Sequence, residues 1–271
     1  MKYKLMAVDI DDTLLNRNKE ITPKTRQAIL KAQEKGVKFA VASGRLPYGV
    51  RPYALELNVL ENNGFYMGFN GGAILNSKEE IIGKTYLDSK YIKPVYDELK
   101  PYNVTTMVHK GSIIYADRKV NDYTEIESKV IGLPLNLVDD IAEFVDFPIH
   151  KFLIAGEPKE LKELEQVLLK KFSADVDIYL SAPWFLEVMP KGTSKGLGLK
   201  SICDYMGIDI SETIACGDSF NDISMVQMAG LGVAMANAEE DLKTVADYVT
   251  ENDCDNDGLA EVIEKFILSE I

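Results

Sequence analysis

Short apolar runs alternate with amphipathic stretches in the first and last parts of the chain, and this pattern limits the folds open to it. Residues 3–8, YKLMAV, predict a buried strand, and Thr22 before Pro23 predicts the start of a helix that ends at Gly36. A second strand follows at residues 37–42, and the same alternation of strands and helices returns after residue 194. Alternating strands and helices indicate a mainly parallel sheet, so we predict a Rossmann-like, doubly wound α/β core.

The middle of the chain, from about residue 84 to residue 188, has a different pattern. Strand candidates there are separated by short turns, for example at Lys110-Gly111, and predict β-hairpins beside helices. One domain inserted into another explains this change best. We therefore predict a core formed by residues 1–83 and 189–271, with an inserted α+β cap domain formed by residues 84–188.

The amino-acid composition argues against several classes of protein. The formal net charge of −13 disfavours binding to nucleic acid or to an anionic membrane, and no apolar run approaches the length of a membrane-spanning helix. Three cysteines without CxxC spacing and only two histidines argue against a disulfide framework and a zinc site. We expect a cytoplasmic protein that binds neither nucleic acid nor membrane, and the sequence makes no prediction of its oligomeric state.

A cluster of carboxylates, DIDDT at residues 9–13, directly follows the first predicted strand. In extended chain Asp9 and Asp11 point to the same side, because side chains alternate with a period of two. Converging carboxylates need a cation between them or a proton on one of them. Either arrangement suits phosphoryl chemistry, since one carboxylate can attack phosphorus while the other acts as general acid and base. An acidic turn that only caps a helix is the structural alternative.

Two further segments offer groups that bind phosphate. The run SGR at residues 43–45 ends the second predicted strand and supplies a hydroxyl and backbone N–H groups made approachable by glycine. Lys195 lies at a helix start, where its charge and the helix dipole can neutralise phosphate, and Lys191 competes for this role. A polar turn and a solvent-exposed lysine are the ordinary alternatives.

A second acidic segment, GDSFND at residues 217–222, follows a predicted strand near the end of the chain. Its Asp218 would complete an all-oxygen magnesium site together with Asp9. A simple turn is again the alternative. Ligands of open α/β sheets bind at the carboxyl ends of the strands, which is where most of these segments are predicted to lie. The acidic segments, the SGR run and Lys195 occur together and in this order along the chain, and this combination predicts a site that binds phosphate.

In this order the segments resemble the motifs of the haloacid dehalogenase (HAD) superfamily. The run DIDDT at residues 9–13 matches the DxDx[TV] first motif of its phosphatases, Ser43 fits the second motif and Lys195 the third, and residues 217–222 match the GDxxND form of the fourth. The long insertion between Ser43 and Lys195 resembles the large α/β cap of the Cof-type subgroup. That subgroup also favours SGR in the second motif and NG at the position of Asn70-Gly71.

The resemblance implies a magnesium-dependent phosphatase that works through an aspartyl-phosphate intermediate. Asp9 would be the nucleophile, and Asp11 would be the general acid and then the general base. The implied Mg²⁺ ligands are Asp9, the backbone carbonyl of Asp11, Asp218 and Asp222, and the alternative for Asp222 is to orient the residues that bind the metal. The implied phosphate-binding residues are Asp12, Thr13, Ser43, Gly44, Lys195 and Asn221. The candidates for substrate binding are Arg45, Asn70 and Gly71, and the alternative for Arg45 is to pair with a carboxylate.

The expected substrate is a small phosphorylated metabolite: a sugar phosphate first, then pyridoxal phosphate or a flavin mononucleotide. A phosphomutase is a sibling hypothesis. A non-catalytic sugar-phosphate sensor and a response-regulator-like switch are alternatives of a different class. The presence of both Asp9 and Asp11 argues against the sensor, because pure binding needs no acid–base carboxylate. The large insertion and the second acidic segment, at residues 218–222, argue against the switch.

Overall fold

The structure, a computed structural model, describes residues 2–117 and 120–269. The chain divides into a first unit, Met1–Lys84 with Ser194–Ile271, and a second unit, Thr85–Thr193. The later division therefore falls after residue 193 and not after residue 188. The reason is a strand, Phe185–Pro190, which crosses the expected boundary and pairs with Phe152–Ala155 of the second unit.

The strands and the helices of the described residues are numbered separately, each in chain order. The strands are β1 (Leu5–Asp9), β2 (Lys38–Ala42), β3 (Phe65–Gly68), β4 (Ala73–Leu75), β5 (Ile81–Lys84), β6 (Thr105–Lys110), β7 (Ile113–Asp117), β8 (Leu135–Val138), β9 (Phe152–Ala155), β10 (Val176–Ala182), β11 (Phe185–Pro190), β12 (Thr213–Gly217), β13 (Leu231–Ala234) and β14 (Tyr248–Val249). The helices are α1 (Pro23–Glu34), α2 (Pro47–Glu56), α3 (Ile92–Leu99), α4 (Asp122–Ile131), α5 (Ile141–Phe144), α6 (Pro158–Phe172), α7 (Lys195–Met206), α8 (Ile223–Met228), α9 (Glu240–Val245) and α10 (Gly258–Ile263).

The first unit contains an eight-stranded sheet in the order β14-β13-β12-β1-β2-β3-β4-β5. Its strands from β14 to β3 are parallel, and β4 and β5 add an antiparallel edge. Strand β1 is central, with Leu5 beside both Thr213 of β12 and Lys38 of β2. All five of its residues are buried, as expected for a parallel strand with both faces covered. The predicted α/β core is confirmed.

The second unit contains a six-stranded sheet in the order β10-β11-β9-β6-β7-β8. Its neighbouring strands are antiparallel, except for the parallel pair β7 and β8. Apolar side chains of α3, α5 and α6, such as Val95, Ile141 and Leu164, share a buried cluster with Val108 and Phe152 of the sheet. The α+β character predicted for the middle of the chain is confirmed.

A search for membrane-spanning segments among residues 2–117 and 120–269 finds no helix with the length and apolar character to cross a bilayer.

Candidate active site

The predicted site segments follow the carboxyl ends of adjacent parallel strands in the first unit. Residues 9–13 end β1 and continue beyond it, residues 43–45 follow β2, and residues 218–222 follow β12. Asn70 lies just beyond the end of β3. Strands β12, β1, β2 and β3 are neighbours, so these segments share one edge of the sheet.

Lys195 connects two of the acidic segments. It is the first residue of α7, which Ser194 caps by accepting the N–H of Leu197 at 3.3 Å. The Lys195 ammonium contacts the carboxylate of Asp9 and donates to Asp222 Oδ1 at 2.6 Å. Its side chain is 0% exposed, so the solvent-exposed alternative for this lysine is wrong.

A tight turn formed by the Asp222 side chain orients the second acidic segment. Asp222 Oδ2 accepts the N–H groups of both Asp218 and Ser219 at 3.1 Å. The chain forms a 3₁₀ turn over Phe220–Asp222 and continues as α8. Asp218 Oδ1 accepts the hydroxyl of Thr13 at 2.7 Å, which ties this segment to the one after β1.

Three carboxylates surround the single ammonium of Lys195. Oxygens of Asp9, Asp218 and Asp222 all lie within 4.8 Å of one another. Burial raises the pKa of Asp9 well above its usual value, with further contributions from Asp222 and Asp218 that oppose the lowering by Lys195. Burial and the charge of Asp222 raise the pKa of Asp218 to about 7. Burial alone would lower the pKa of Lys195, but the Asp222 and Asp9 carboxylates raise it, so the lysine stays charged.

The excess negative charge of these carboxylates indicates which kind of ion they can bind. When all three carboxyl groups are ionised, one ammonium leaves two of their negative charges uncompensated, with Asp9 and Asp222 buried and Asp218 half-buried. A divalent cation supplies the missing charge, and carboxylate oxygens are the donors that hard cations such as Mg²⁺ prefer. The residues present therefore fit a hard divalent metal ion.

Asp11 lies apart from this group of carboxylates. The extended chain ends at Asp9, and Asp12 has a φ of 57°, so the backbone turns immediately after Asp11. The Asp11 carboxylate accepts two hydrogen bonds from Arg45, from Nε at 3.0 Å and from Nη2 at 2.7 Å. The Lys19 ammonium lies 3.3 Å from the same carboxylate. Instead of facing Asp9 across a shared cation, Asp11 pairs with two side-chain cations.

The turn at Asn70-Gly71 holds three of the segments together. Asn70 donates its N–H to the carbonyl of Ser43 at 2.9 Å, and its Oδ1 accepts from Asn221 Nδ2 at 3.0 Å. Gly71 has a φ of +90°, and a Cβ there would lie 2.6 Å from the carbonyl oxygen of Ser194. Only glycine fits this close approach to the start of α7.

The competing lysine, Lys191, belongs to the second unit. Its ammonium is exposed and lies 3.0 Å from Asp177 Oδ1. Sequence reasoning missed three residues that contact the predicted site: Lys19, Tyr53, whose hydroxyl accepts from Arg45 at 3.3 Å, and Asn237, whose amide donates to the carbonyl of Asp12 at 2.8 Å. Asn237 is 225 positions from Asp12, and no local motif signals such a contact.

The family model of haloacid dehalogenase-like hydrolases matches residues 6–263. The chain therefore belongs to this family, and it is a phosphatase of the Cof type, as the resemblance of its motifs predicted. The response-regulator-like alternative is wrong, because the match covers the first unit and the whole insertion.

The alignments with similar proteins cover nearly the whole chain. A haloacid dehalogenase-like hydrolase from Bacteroides thetaiotaomicron has 34% sequence identity and a TM-score of 0.90, over 97% of this chain and 99% of that one. The subclass IIB sugar phosphatase BT4131 has 28% identity and a TM-score of 0.84, over 97% and 98%. The 5-amino-6-(5-phospho-D-ribitylamino)uracil phosphatase YcsE of Bacillus subtilis is 29% identical over 98% of this chain and 96% of its own length. These likenesses confirm the fold and the enzyme class.

Proposed function

We propose that this phosphatase hydrolyses small phosphate monoesters with Mg²⁺, through an aspartyl-phosphate on Asp9. One observation carries the proposal: the buried Asp9 carboxylate contacts the Lys195 ammonium and lies within 4.8 Å of oxygens of Asp218 and Asp222. A carboxylate so placed is fixed in direction, and the Lys195 ammonium, together with a divalent cation held by the neighbouring carboxylates, would neutralise the charge of a phosphoryl group. Positioning and charge neutralisation are the main contributions that a protein makes to phosphoryl transfer.

The metal ligands in this proposal are the carboxylates of Asp9 and Asp218 and the backbone carbonyl of Asp11. Both oxygens of Asp222 already accept hydrogen bonds, from Lys195 and from two backbone N–H groups. We therefore give Asp222 the role of orienting Lys195 and Asp218 beside the metal. When bound, Mg²⁺ would neutralise charge that develops on the phosphoryl oxygens.

The phosphate-binding groups surround Asp9 at the edge of the sheet. Lys195 supplies the positive charge, and the other groups supply hydrogen bonds that orient the phosphoryl group for in-line attack. The proposed phosphate-binding residues are Asp12, Thr13, Ser43, Gly44, Lys195 and Asn221. For Asn70 and Gly71 the contacts with Ser43, Asn221 and Ser194 support a role in holding the site together, in place of substrate contact.

The proposed reaction has two steps. In the first, an Asp9 oxygen forms a bond to phosphorus while the bond from phosphorus to the ester oxygen breaks, and Asp11 gives its proton to the leaving alcohol. In the second, Asp11 takes a proton from a water molecule whose oxygen attacks phosphorus. The bond between Asp9 and phosphorus then breaks, which releases phosphate and restores both carboxyl groups to their starting states.

We propose a phosphate ester on a polyhydroxylated carbon chain as the substrate, with sugar phosphates first. The names of two relatives support this, since one is a sugar phosphatase and the other acts on a ribityl phosphate. Flavin mononucleotide also carries a ribityl phosphate and, with pyridoxal phosphate, comes next. The second unit would serve as the cap that selects the substrate by binding its leaving group.

We also propose that the protein works in the cytoplasm. Its three cysteines, Cys203, Cys216 and Cys254, are all free and buried, which suits a reducing compartment.

Phosphate release from a panel of esters tests the proposal. The panel contains sugar phosphates, pyridoxal phosphate, flavin mononucleotide and the ribitylaminouracil phosphate, each with Mg²⁺ and with chelator. We expect Mg²⁺-dependent release that Asp9→Asn reduces by orders of magnitude. Release that persists in Asp9→Asn would contradict the intermediate. If the folded native protein with bound Mg²⁺ released no phosphate from any ester, the phosphomutase and sensor hypotheses would replace hydrolysis.

A further inference from the structure

The side chain of Asn237 joins two segments that lie far apart in the sequence. Its Nδ2 donates to the backbone carbonyl of Asp12 at 2.8 Å, and its Oδ1 accepts the backbone N–H of Cys254 at 2.9 Å. A carbonyl only accepts and a backbone N–H only donates, so one orientation of the amide satisfies both contacts. Asn237 lies outside the four family motifs and has no role in the proposed reaction.

The contact with Asp12 controls the direction of the next backbone N–H. The Asp12 carbonyl and the Thr13 N–H belong to one planar peptide group and point in opposite directions. A hydrogen bond that holds the carbonyl therefore fixes the Thr13 N–H as well. The Thr13 hydroxyl donates in turn to Asp218 Oδ1 at 2.7 Å. Asp12 adopts the left-handed conformation, with φ 57° and ψ 15°, which aspartate tolerates better than most residues other than glycine.

The turn that carries Asn237 also holds the second acidic segment. Within residues 235–239, the N–H of Met235 donates to the carbonyl of Gly217 at 3.0 Å, and the N–H of Glu239 donates to the carbonyl of Asp218 at 2.8 Å. One short turn is therefore hydrogen bonded both to the segment after β1 and to the segment after β12. These two segments supply Asp9 and Asp218.

We propose that Asn237 is a positioning residue that keeps the segment of residues 9–13 in register with Asp218. In this arrangement the oxygens contributed by the two segments lie close enough to share one divalent cation. Asn237 acts through the peptide between Asp12 and Thr13 and touches no reacting atom. The inference rests on the proposed function of this site.

The experiment compares Asn237→Ala with a matched control, Asn256→Ala. Asn256 Nδ2 donates to Asp253 Oδ1 at 2.7 Å on an exposed part of the chain, so the control also removes an asparagine hydrogen bond. The measurements are kcat and KM with p-nitrophenyl phosphate, and Mg²⁺ affinity by calorimetry without substrate. For Asn237→Ala we expect kcat and Mg²⁺ affinity to fall by about 10- to 100-fold, the range found for groups that orient metal ligands, with little change in KM. The control should match the native protein in all three quantities.

Three outcomes would overturn the proposal. They are native kcat and Mg²⁺ affinity in Asn237→Ala, a rise in KM alone, which would indicate direct substrate contact, and an equal loss in the control. If Asn237→Ala does not fold, Asn237→Asp replaces it, because it has the same shape but turns a carboxylate oxygen toward the Asp12 carbonyl. Native behaviour of that variant would refute the positioning role. If the native protein releases no phosphate, the proposed function fails, whereas the Mg²⁺ calorimetry still tests Asn237.

Discussion

Arg45 binds both oxygens of Asp11, with Nε 3.0 Å from Oδ2 and Nη2 2.7 Å from Oδ1. The same guanidinium donates from Nη1 to the hydroxyl of Tyr53 at 3.3 Å, so it is fixed on two sides. Two parallel hydrogen bonds to one carboxylate require the planar, two-pronged guanidinium of arginine. A lysine ammonium cannot make this bidentate contact. We therefore interpret Arg45 as a residue that positions the proposed acid, in place of the substrate-binding role for which it was a candidate.

Replacing Arg45 with lysine keeps the charge and removes the two-pronged guanidinium. We expect Arg45→Lys to lower kcat for an alkyl phosphate by about 10- to 100-fold, less than the roughly 10²- to 10⁴-fold of a full general acid–base contribution, because Asp11 itself remains. The loss with p-nitrophenyl phosphate should be smaller, because its leaving oxygen needs little protonation. Steady-state kinetics with both esters checks this.

Arg51→Lys is the control for this variant, since Arg51 pairs with Glu79 on the exposed surface of the first unit. It should leave both rates unchanged. An increase in KM for Arg45→Lys with an unchanged kcat would instead assign Arg45 to substrate binding.

Loss of the buried ammonium should destabilise the protein when divalent cations are absent. Lys195→Met leaves Asp9 and Asp222 buried without their counter-charge, so we expect the free energy of unfolding in chelator to fall by about 3–5 kcal/mol. Lys191→Met removes an exposed ion pair with Asp177 and should cost no more than about 1 kcal/mol. Urea unfolding of both variants measures the difference. Equal losses would show that burial of the Lys195 pair does not matter.

A methyl group at Gly71 should disturb the start of α7. Gly71 and Gly36 both have positive φ, +90° and +93°, but a Cβ at Gly71 would lie 2.6 Å from the Ser194 carbonyl, whereas nothing lies within 4 Å of one at Gly36. Gly36→Ala should therefore cost only the backbone strain, about 1–2 kcal/mol. Gly71→Ala should cost a further 1–3 kcal/mol, roughly, from overpacking, and should reduce turnover because Lys195 follows Ser194.

Thermal unfolding and phosphate release of both alanine variants check the Gly71 prediction. Similar melting temperatures and similar activities would indicate that α7 moves to accommodate the methyl group.

A buried ion pair in the second unit should show strong non-additivity. Lys151 Nζ lies 2.7 Å from Glu187 Oε1, and the two side chains are 5% and 6% exposed. Lys151→Met or Glu187→Leu alone removes one charge of a buried ion pair and should cost about 3–5 kcal/mol. The double variant should be more stable than the sum of the single losses predicts. Denaturant unfolding of the four proteins gives the coupling energy, and additive losses would contradict the expectation.

The motif residues could be placed from sequence because each follows a strand with a clear apolar signal. Asp9 and Asp218 follow the adjacent parallel strands β1 and β12, so local patterns were sufficient for them. Lys195 could be placed at a helix start, but its burial was not predicted. The partner of Asp11 was not predictable in this way. Alternation with a period of two holds only in extended chain, and the strand ends at Asp9, with a helical turn that begins at Ile10.

Other features depend on contacts that no local pattern shows. The hairpin β4–β5 was missed because its strands are short, and Ile81 on the edge strand is 57% exposed, so the alternation of buried and exposed residues is weak. The 3₁₀ turn before α8 depends on the Asp222 side chain, which satisfies backbone N–H groups that a regular helix would leave unpaired. Asn237 contacts residues at both ends of the chain.

The pairing of β1 with β12 sets the order in which this chain can fold as it is synthesised. Leu5 is made before the whole second unit, and its neighbour Thr213 is made only after that unit. The sheet of the second unit uses only residues between Thr105 and Pro190, so all of its strands are available before β12 exists. Pairings across such a long sequence separation form slowly, and N-terminal segments wait for them with apolar surface exposed. Asp9 is therefore made before the second unit, whereas Lys195, Asp218 and Asp222, which complete its surroundings, are made after it.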